Sequence, residues 1–207
     1  MAFREQPDRE NEARERFLRL LLPVRDRLMQ FARAMTRNRE EADDLVSDTI
    51  LAALERFDDL RSPAAFLGYL FTIAVRIHKR RRWRERLFGS YDEEYAESIP
   101  SSASAPDVSA DVAMLYKALE QLPERQRETV VLFELSDLSL EEIRAIQGGS
   151  LSGVKSRLVR GREKLAQILN TADQAAPGFA VEGVVPAAGG RSRGGSFLIF
   201  SESQNNG

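Results

Sequence analysis

The chain has no cysteine, one histidine and one tryptophan among 207 residues. Without cysteine there are no disulfides, no thiolate nucleophile and no cysteine zinc site. A lone histidine leaves little for metal binding or acid–base work, so composition argues against an enzyme and implies no cofactor and no metal. Long apolar runs are also missing. The longest, such as Leu20 to Val24, fall far short of the roughly 18 to 20 residues needed to cross a bilayer. The stretch from Met1 to Arg19 is too charged for a secretory signal. A cytoplasmic protein with no membrane insertion is expected.

Net charge is only −2, so its distribution carries more information than its sum. From Ala74 to Phe88 there are seven Lys or Arg and one Glu, and from Val154 to Leu165 five and one. Between Glu40 and Asp59, in contrast, stand eight acids and one Arg, and Gly89 to Ala113 holds six acids and no base. Two basic segments and two acidic ones alternate along the chain.

Apolar periodicity predicts helices from about Arg9 to Ala34, Glu40 to Phe57 and Pro63 to Arg86, with Pro23 kinking or splitting the first. Asn38 and the Arg61-Ser62-Pro63 turn punctuate them, Pro63 suiting a first helical position. Ser, Ala, Pro and acid then dominate from Gly89 to Ala110, a composition too poor in apolar surface to repay ordering. Helical pattern returns from Asp111 to about Asn170, broken at Leu122-Pro123, Ser136 to Ser139 and Gly148-Gly149. Beyond Thr171 Gly, Ala and Pro prevail, and disorder is expected. The expected fold is all-α: a helical domain over 9–88, a flexible acidic linker over 89–110, a second helical domain over 111–170 and a disordered extension over 171–207.

In the second domain, two helical stretches meet at Gly148, Gly149 and Ser150, the layout of a helix-turn-helix. Val154, Leu158, Gly161 and Leu165 share one face of the second stretch. Lys155, Ser156, Val159 and Arg160 project elsewhere, as a face offered to a major groove would. Such cations suit guanine edges or phosphates, and a merely solvated face is the alternative that spacing leaves open.

The run Ala118 to Glu128, Ala-Leu-Glu-Gln-Leu-Pro-Glu-Arg-Gln-Arg-Glu, resembles the opening of region four of extracytoplasmic-function RNA polymerase sigma factors. Leu138 to Ile143 and Gly153 to Leu165 continue the likeness through the helix-turn-helix. The resemblance implies a domain that reads the minus-thirty-five promoter element through Lys155, Ser156, Val159 and Arg160, and that binds the flap of the polymerase beta subunit. Arg157 and Arg162 are left between phosphate contact and helix packing. Three residues depart from the family pattern: Arg144 for a small residue, Gly149 for an apolar one and Gly153 for Thr. The first two are expected to loosen the motif's packing, the third to remove a capping hydroxyl.

The first domain carries the same likeness. On the second predicted helix, Ala42, Leu45, Val46, Thr49, Ile50, Ala53, Leu54 and Phe57 fall on one half, and Glu41, Asp44, Asp48 and Glu55 on the other. Glu41 to Thr49 resembles the acidic region-two motif, which implies docking on the beta-prime coiled coil through Glu41, Asp44, Leu45 and Asp48. On the third, Phe66, Leu70, Ile73 and Ile77 form an apolar ridge that gives way to the basic run His78 to Arg84. There Arg76, Arg80 and Trp83 align at i, i+4 and i+7, pairing cations with an aromatic surface on which an unstacked base could lie, the alternative for Trp83 being a core or boundary residue. His78 reads as one member of that run. The resemblance implies that Arg61, Ser62, Arg76, Lys79, Arg80 and Trp83 hold the opened minus-ten element. Tyr69 stands for the usual Trp and Arg76 for the usual Asn.

These likenesses point to a noncatalytic sigma factor whose partners are core RNA polymerase, promoter DNA and an anti-sigma factor. Two other readings fit parts of the chain. A polymerase-independent regulator would bind an operator tightly by itself, and an interaction protein would show salt-sensitive binding without promoter preference. The resemblance implies that the acidic linker mimics RNA phosphates inside polymerase, simple solubilisation being the alternative, and Phe197 to Phe200 in the extension is a candidate regulatory docking element.

Overall fold

Proline and small polar residues set the helix limits. The computed structural model describes residues 5–60, 62–88 and 110–175, with side chains over 11–58, 60, 62–88 and 111–171. Helix α1 (Glu5–Leu21) ends where Pro23 enters a 3-10 turn (Leu22–Val24), and α2 (Arg25–Met35) resumes beyond it. The expected first helix is therefore split, because proline lacks the amide that would continue the ladder. Asn38 Oδ1 accepts the Glu41 amide at 2.8 Å and starts α3 (Arg39–Glu55). A side-chain oxygen at this position satisfies an otherwise orphaned N–H. A 3-10 turn at Pro63–Ala65 then leads into α4 (Phe66–Phe88).

In the second bundle, α5 (Ala110–Glu120) is followed by Pro123, from which α6 (Glu124–Glu134) departs. Ser139 and Glu142 form a reciprocal capping box at the start of α7 (Leu140–Gln147), which satisfies two orphan donors at once. The last helix, α8 (Leu151–Ala175), runs five residues beyond the expected end at Asn170. Arg61 and the expectations placed on the linker and on the extension lie outside the described residues, Phe197 to Phe200 among them.

Aromatic side chains knit the first bundle. Phe17, Phe57 and Phe66 meet edge to face at 5.3, 5.7 and 6.3 Å between ring centroids, and Phe31 meets Phe71 at 5.5 Å. This geometry sets positive ring edges against negative faces and adds to area burial. Ala42, Leu45, Val46, Thr49, Ala53 and Phe57 are buried, with Ile50 and Leu54 half-buried, as the helical wheel predicts.

The two bundles pack against each other. Helix α2 lies on α5 and α6, and α4 lies on α7. Ion pairs cross this seam at Lys79–Glu128 (3.1 Å), Arg27–Asp137 (3.4 Å) and Arg86–Glu124 (3.5 Å). The first matters most, because Glu128 is only 1% exposed.

Candidate nucleic-acid and polymerase interfaces

Glycine makes the turn of the helix-turn-helix. Gly148 and Gly149 sit at φ +75° and +87°, a left-handed region that a Cβ disfavours. Gly149 therefore answers a backbone requirement here. Ser150 Oγ accepts the Gly153 amide at 3.1 Å, so the hydroxyl expected to be missing at position 153 is supplied three residues earlier. Along α8, Val154 and Leu158 are buried, and Gly161 faces α6 so closely that a Cβ would stand 2.6 Å from Val130 Cγ2. The α6–α8 contact is set by the absence of a side chain.

Turning these residues inward turns Lys155, Val159 and Arg160 outward. All three are exposed, Val159 at 51%, with Ser156 half-buried beside them. Arg157 behaves differently. Its Nε and Nη2 both donate to Gln147 Oε1, at 3.1 and 2.9 Å, and the Thr129 hydroxyl donates to the same oxygen at 3.0 Å. Arg162 Nε donates to Glu134 Oε1 at 2.6 Å while its guanidinium lies over the Phe133 ring. Both arginines pack helices together. Arg144 is exposed and disturbs no packing.

On α4, Arg76, Arg80 and Trp83 are exposed along one face, Trp83 at 59%. Ser62 is exposed at the start of the preceding turn, where its carbonyl accepts the Ala65 amide at 3.0 Å. Lys79 is held across the seam by Glu128 and is not part of the open face. Tyr69 is half-buried, its hydroxyl donating to Ala53 O at 2.9 Å and so tying α4 to α3.

His78 departs from the sequence expectation. It is 3% exposed and lies under the second bundle, not in the solvated basic run. Its heptad neighbours explain this: Phe71, Ala74 and Val75 share its side of α4 and are buried with it. Burial pushes its pKa down to about 4, helped by the nearby charges of Arg127, Arg82 and Lys79 and opposed by Glu124. A buried imidazole loses the hydration that its charged form needs.

The α3 residues divide in two. Asp44 and Asp48 are exposed and Glu41 half-buried, whereas Leu45 is fully buried and can offer a partner no side chain. Asp48 accepts from Arg81 Nη2 at 2.6 Å, and Glu41 accepts from the Arg37 amide at 3.1 Å. Among the described residues no group of three His, Cys, Asp or Glu is placed to hold a metal ion. No described helix is long and apolar enough to cross a membrane.

Fold and surfaces together define a two-bundle, all-α DNA-binding protein with a helix-turn-helix in its second half. Comparison with known proteins carries the assignment further. Residues 20–86 match the model of Sigma-70 region 2, and residues 113–165 that of Sigma-70, region 4. The chain is 34% identical over 145 residues to the ECF RNA polymerase sigma factor EcfG of Rhodopseudomonas palustris (strain TIE-1), covering 69% of this chain and 78% of that one. Among solved structures it is similar to the sigma factor RpoE in complex with the anti-sigma factor NepR from Bartonella quintana. There the TM-score is 0.63 at 29% identity, over 75% of this chain and 98% of that one. It is also similar to CnrH in complex with the cytosolic domain of CnrY, with a TM-score of 0.58 at 26% identity, over 78% and 95% of the two chains. The chain belongs to the extracytoplasmic-function family of RNA polymerase sigma factors and is a promoter-specific transcription initiation factor.

Proposed function

We propose a division of labour between the two bundles. Residues 9–88 dock on the beta-prime coiled coil of core polymerase through Glu41, Asp44 and Asp48, and hold the opened minus-ten strand with Ser62, Arg76, Lys79, Arg80 and Trp83. Arg61 belongs to the same loop in sequence. Residues 111–170 read the minus-thirty-five element and meet the beta flap. The protein works in the cytoplasm and catalyses nothing itself.

One observation carries the reading: Lys155, Val159 and Arg160 stand exposed together on α8 while Val154, Leu158 and Gly161 are buried behind them. Cations beside an apolar side chain can pair with guanine edges or phosphates and touch a thymine methyl. The exposed row of Arg76, Arg80 and Trp83 is a separate surface suited to single-stranded DNA.

The packed bundles have a consequence for this function. Lys79 is engaged by Glu128, so full use of the minus-ten surface requires the seam to part. An anti-sigma factor would act by holding it closed. The solved structures similar to this chain are complexes with anti-sigma factor NepR and with the cytosolic domain of CnrY, which supports a partner of this kind.

Reconstitution tests the proposal. Purified protein added to core polymerase should yield run-off transcripts only from templates bearing its promoter. Failure to bind core would end the reading.

A further inference from the structure

Arg127 on α6 is 9% exposed, yet its guanidinium makes no hydrogen bond or ion pair with any described residue, and its Nε is sealed from solvent without a partner. Buried guanidinium groups normally sit against carboxylates, because an unpaired charge is costly to remove from water. Across the seam on α4, two further nitrogens share this condition: His78 Nε2 and Arg82 Nε. All three residues line one cleft of about 690 Å³ between the bundles.

Three of the four acids that line the cleft are engaged, each by an arginine of the same cleft. Asp48 is paired with Arg81, Glu85 with Arg82 Nη1 at 3.5 Å, and Glu41 with the Arg37 amide at the start of α3. Arg82 repels Arg127, while Glu120 and Glu124 attract it from a distance without forming an ion pair. Like charges thus meet across a recessed space, with unsatisfied nitrogens buried in its walls.

We propose that this cleft binds a small molecule carrying a diphosphate, gripped by Arg127 from one bundle and by Arg82 from the other, with His78 in the wall beside them. Guanidinium groups match phosphate oxygens in geometry and charge. More than one guanidinium favours a ligand with more than one negative charge, and the space is of the size usual for nucleotide-sized ligands. Because both bundles contribute, the ligand binds the packed form and by linkage opposes its opening. That regulatory consequence rests on the function proposed above; the binding itself does not.

The test uses the full chain, magnesium-free buffer, inorganic pyrophosphate as probe and sodium chloride at matched ionic strength as control. His78 is the only histidine, so the imidazole NMR spectrum reports this cleft alone. Pyrophosphate should shift the His78 resonance saturably and raise Tm, as any ligand of the folded form does. Arg127→Gln and Arg82→Gln should each weaken binding at least tenfold. Arg82 is partly exposed, so R82Q keeps the test alive should R127Q misfold. No saturable shift, an equal shift in chloride, protection by promoter duplex but not by pyrophosphate, or undiminished binding in the variants would each overturn the proposal. Core binding measured without pyrophosphate tests the sigma function separately.

Discussion

Lys79 and Glu128, 49 residues apart in the chain, meet at 3.1 Å across the seam between the bundles, the carboxylate buried and the ammonium part-exposed. One is a residue expected to hold promoter DNA and the other belongs to the bundle proposed to read duplex. The contact joins the two surfaces in one closed arrangement.

Lys79→Met strands the Glu128 carboxylate without its cation. Because Lys79 is 39% exposed, the cost should fall below that of a broken fully buried pair, at about 1–3 kcal/mol. A dye pair placed on α1 and α8 should report a more open protein. Combining Lys79→Met with Glu128→Gln should recover part of the loss. If K79M changes neither the interdye distance nor urea stability, the pair is not holding the seam.

Acid should loosen the fold through His78. Its pKa falls from 6.5 to about 4 on burial, so below pH 6.5 the unfolded or opened form binds more protons than the packed one. Above pH 6.5 both forms are neutral and the term vanishes. Stability should therefore fall as pH drops from about 6.5 to 4, by at most about 3 kcal/mol at about 1.4 kcal/mol per pH unit. His78→Leu should flatten this slope in urea titrations at a series of pH values. An unchanged slope would assign the acid sensitivity to other groups.

Gly161→Ala inserts a methyl group where Val130 Cγ2 would be 2.6 Å away. Overpacking of this kind costs about 1–3 kcal/mol, against a gain of about 1 kcal/mol in helix propensity. A net loss is expected in chemical denaturation, with recovery when Val130→Ala is added. Stabilisation by G161A alone would mean that the helices shift apart freely.

Truncating the exposed face of α8 should separate DNA binding from folding. Lys155→Ala and Arg160→Ala are expected to leave stability within about 0.5 kcal/mol. A residue that reads a base should lose about 1–3 kcal/mol at its own promoter position, whereas one that holds phosphate should weaken all sequences alike and lower the salt slope by about one. Val159→Ala should affect promoter preference without changing the salt slope. Binding that survives all three substitutions would remove this face as the reader.

Much of the architecture was legible from local chemistry. Pro23, Asn38, Pro63, Pro123 and the Gly148-Gly149 pair each impose a backbone or capping condition that acts within a few residues. Apolar spacing on α3 and α8 placed Ala42, Leu45, Val154 and Leu158 inside, as observed. Leu45 illustrates the limit of motif reading. It belongs to the acidic motif in sequence, but its side chain belongs to the core. Arg157 and Arg162 were ambiguous for the same reason, since a cation's partner is chosen by whatever another helix presents.

Local sequence was enough to specify two helical bundles, with a basic, aromatic-bearing face on one and a helix-turn-helix on the other. Those features rest on periodicity, caps and turns, which are local. Long-range packing set the rest: that the bundles pack together, that Lys79 is paired with Glu128, and that His78 Nε2 and Arg127 Nε lie buried without partners at the seam. Such facts depend on which side chain meets which across a large sequence separation. The same lysine or histidine is a solvated charge or a buried neutral group according to the surface laid over it.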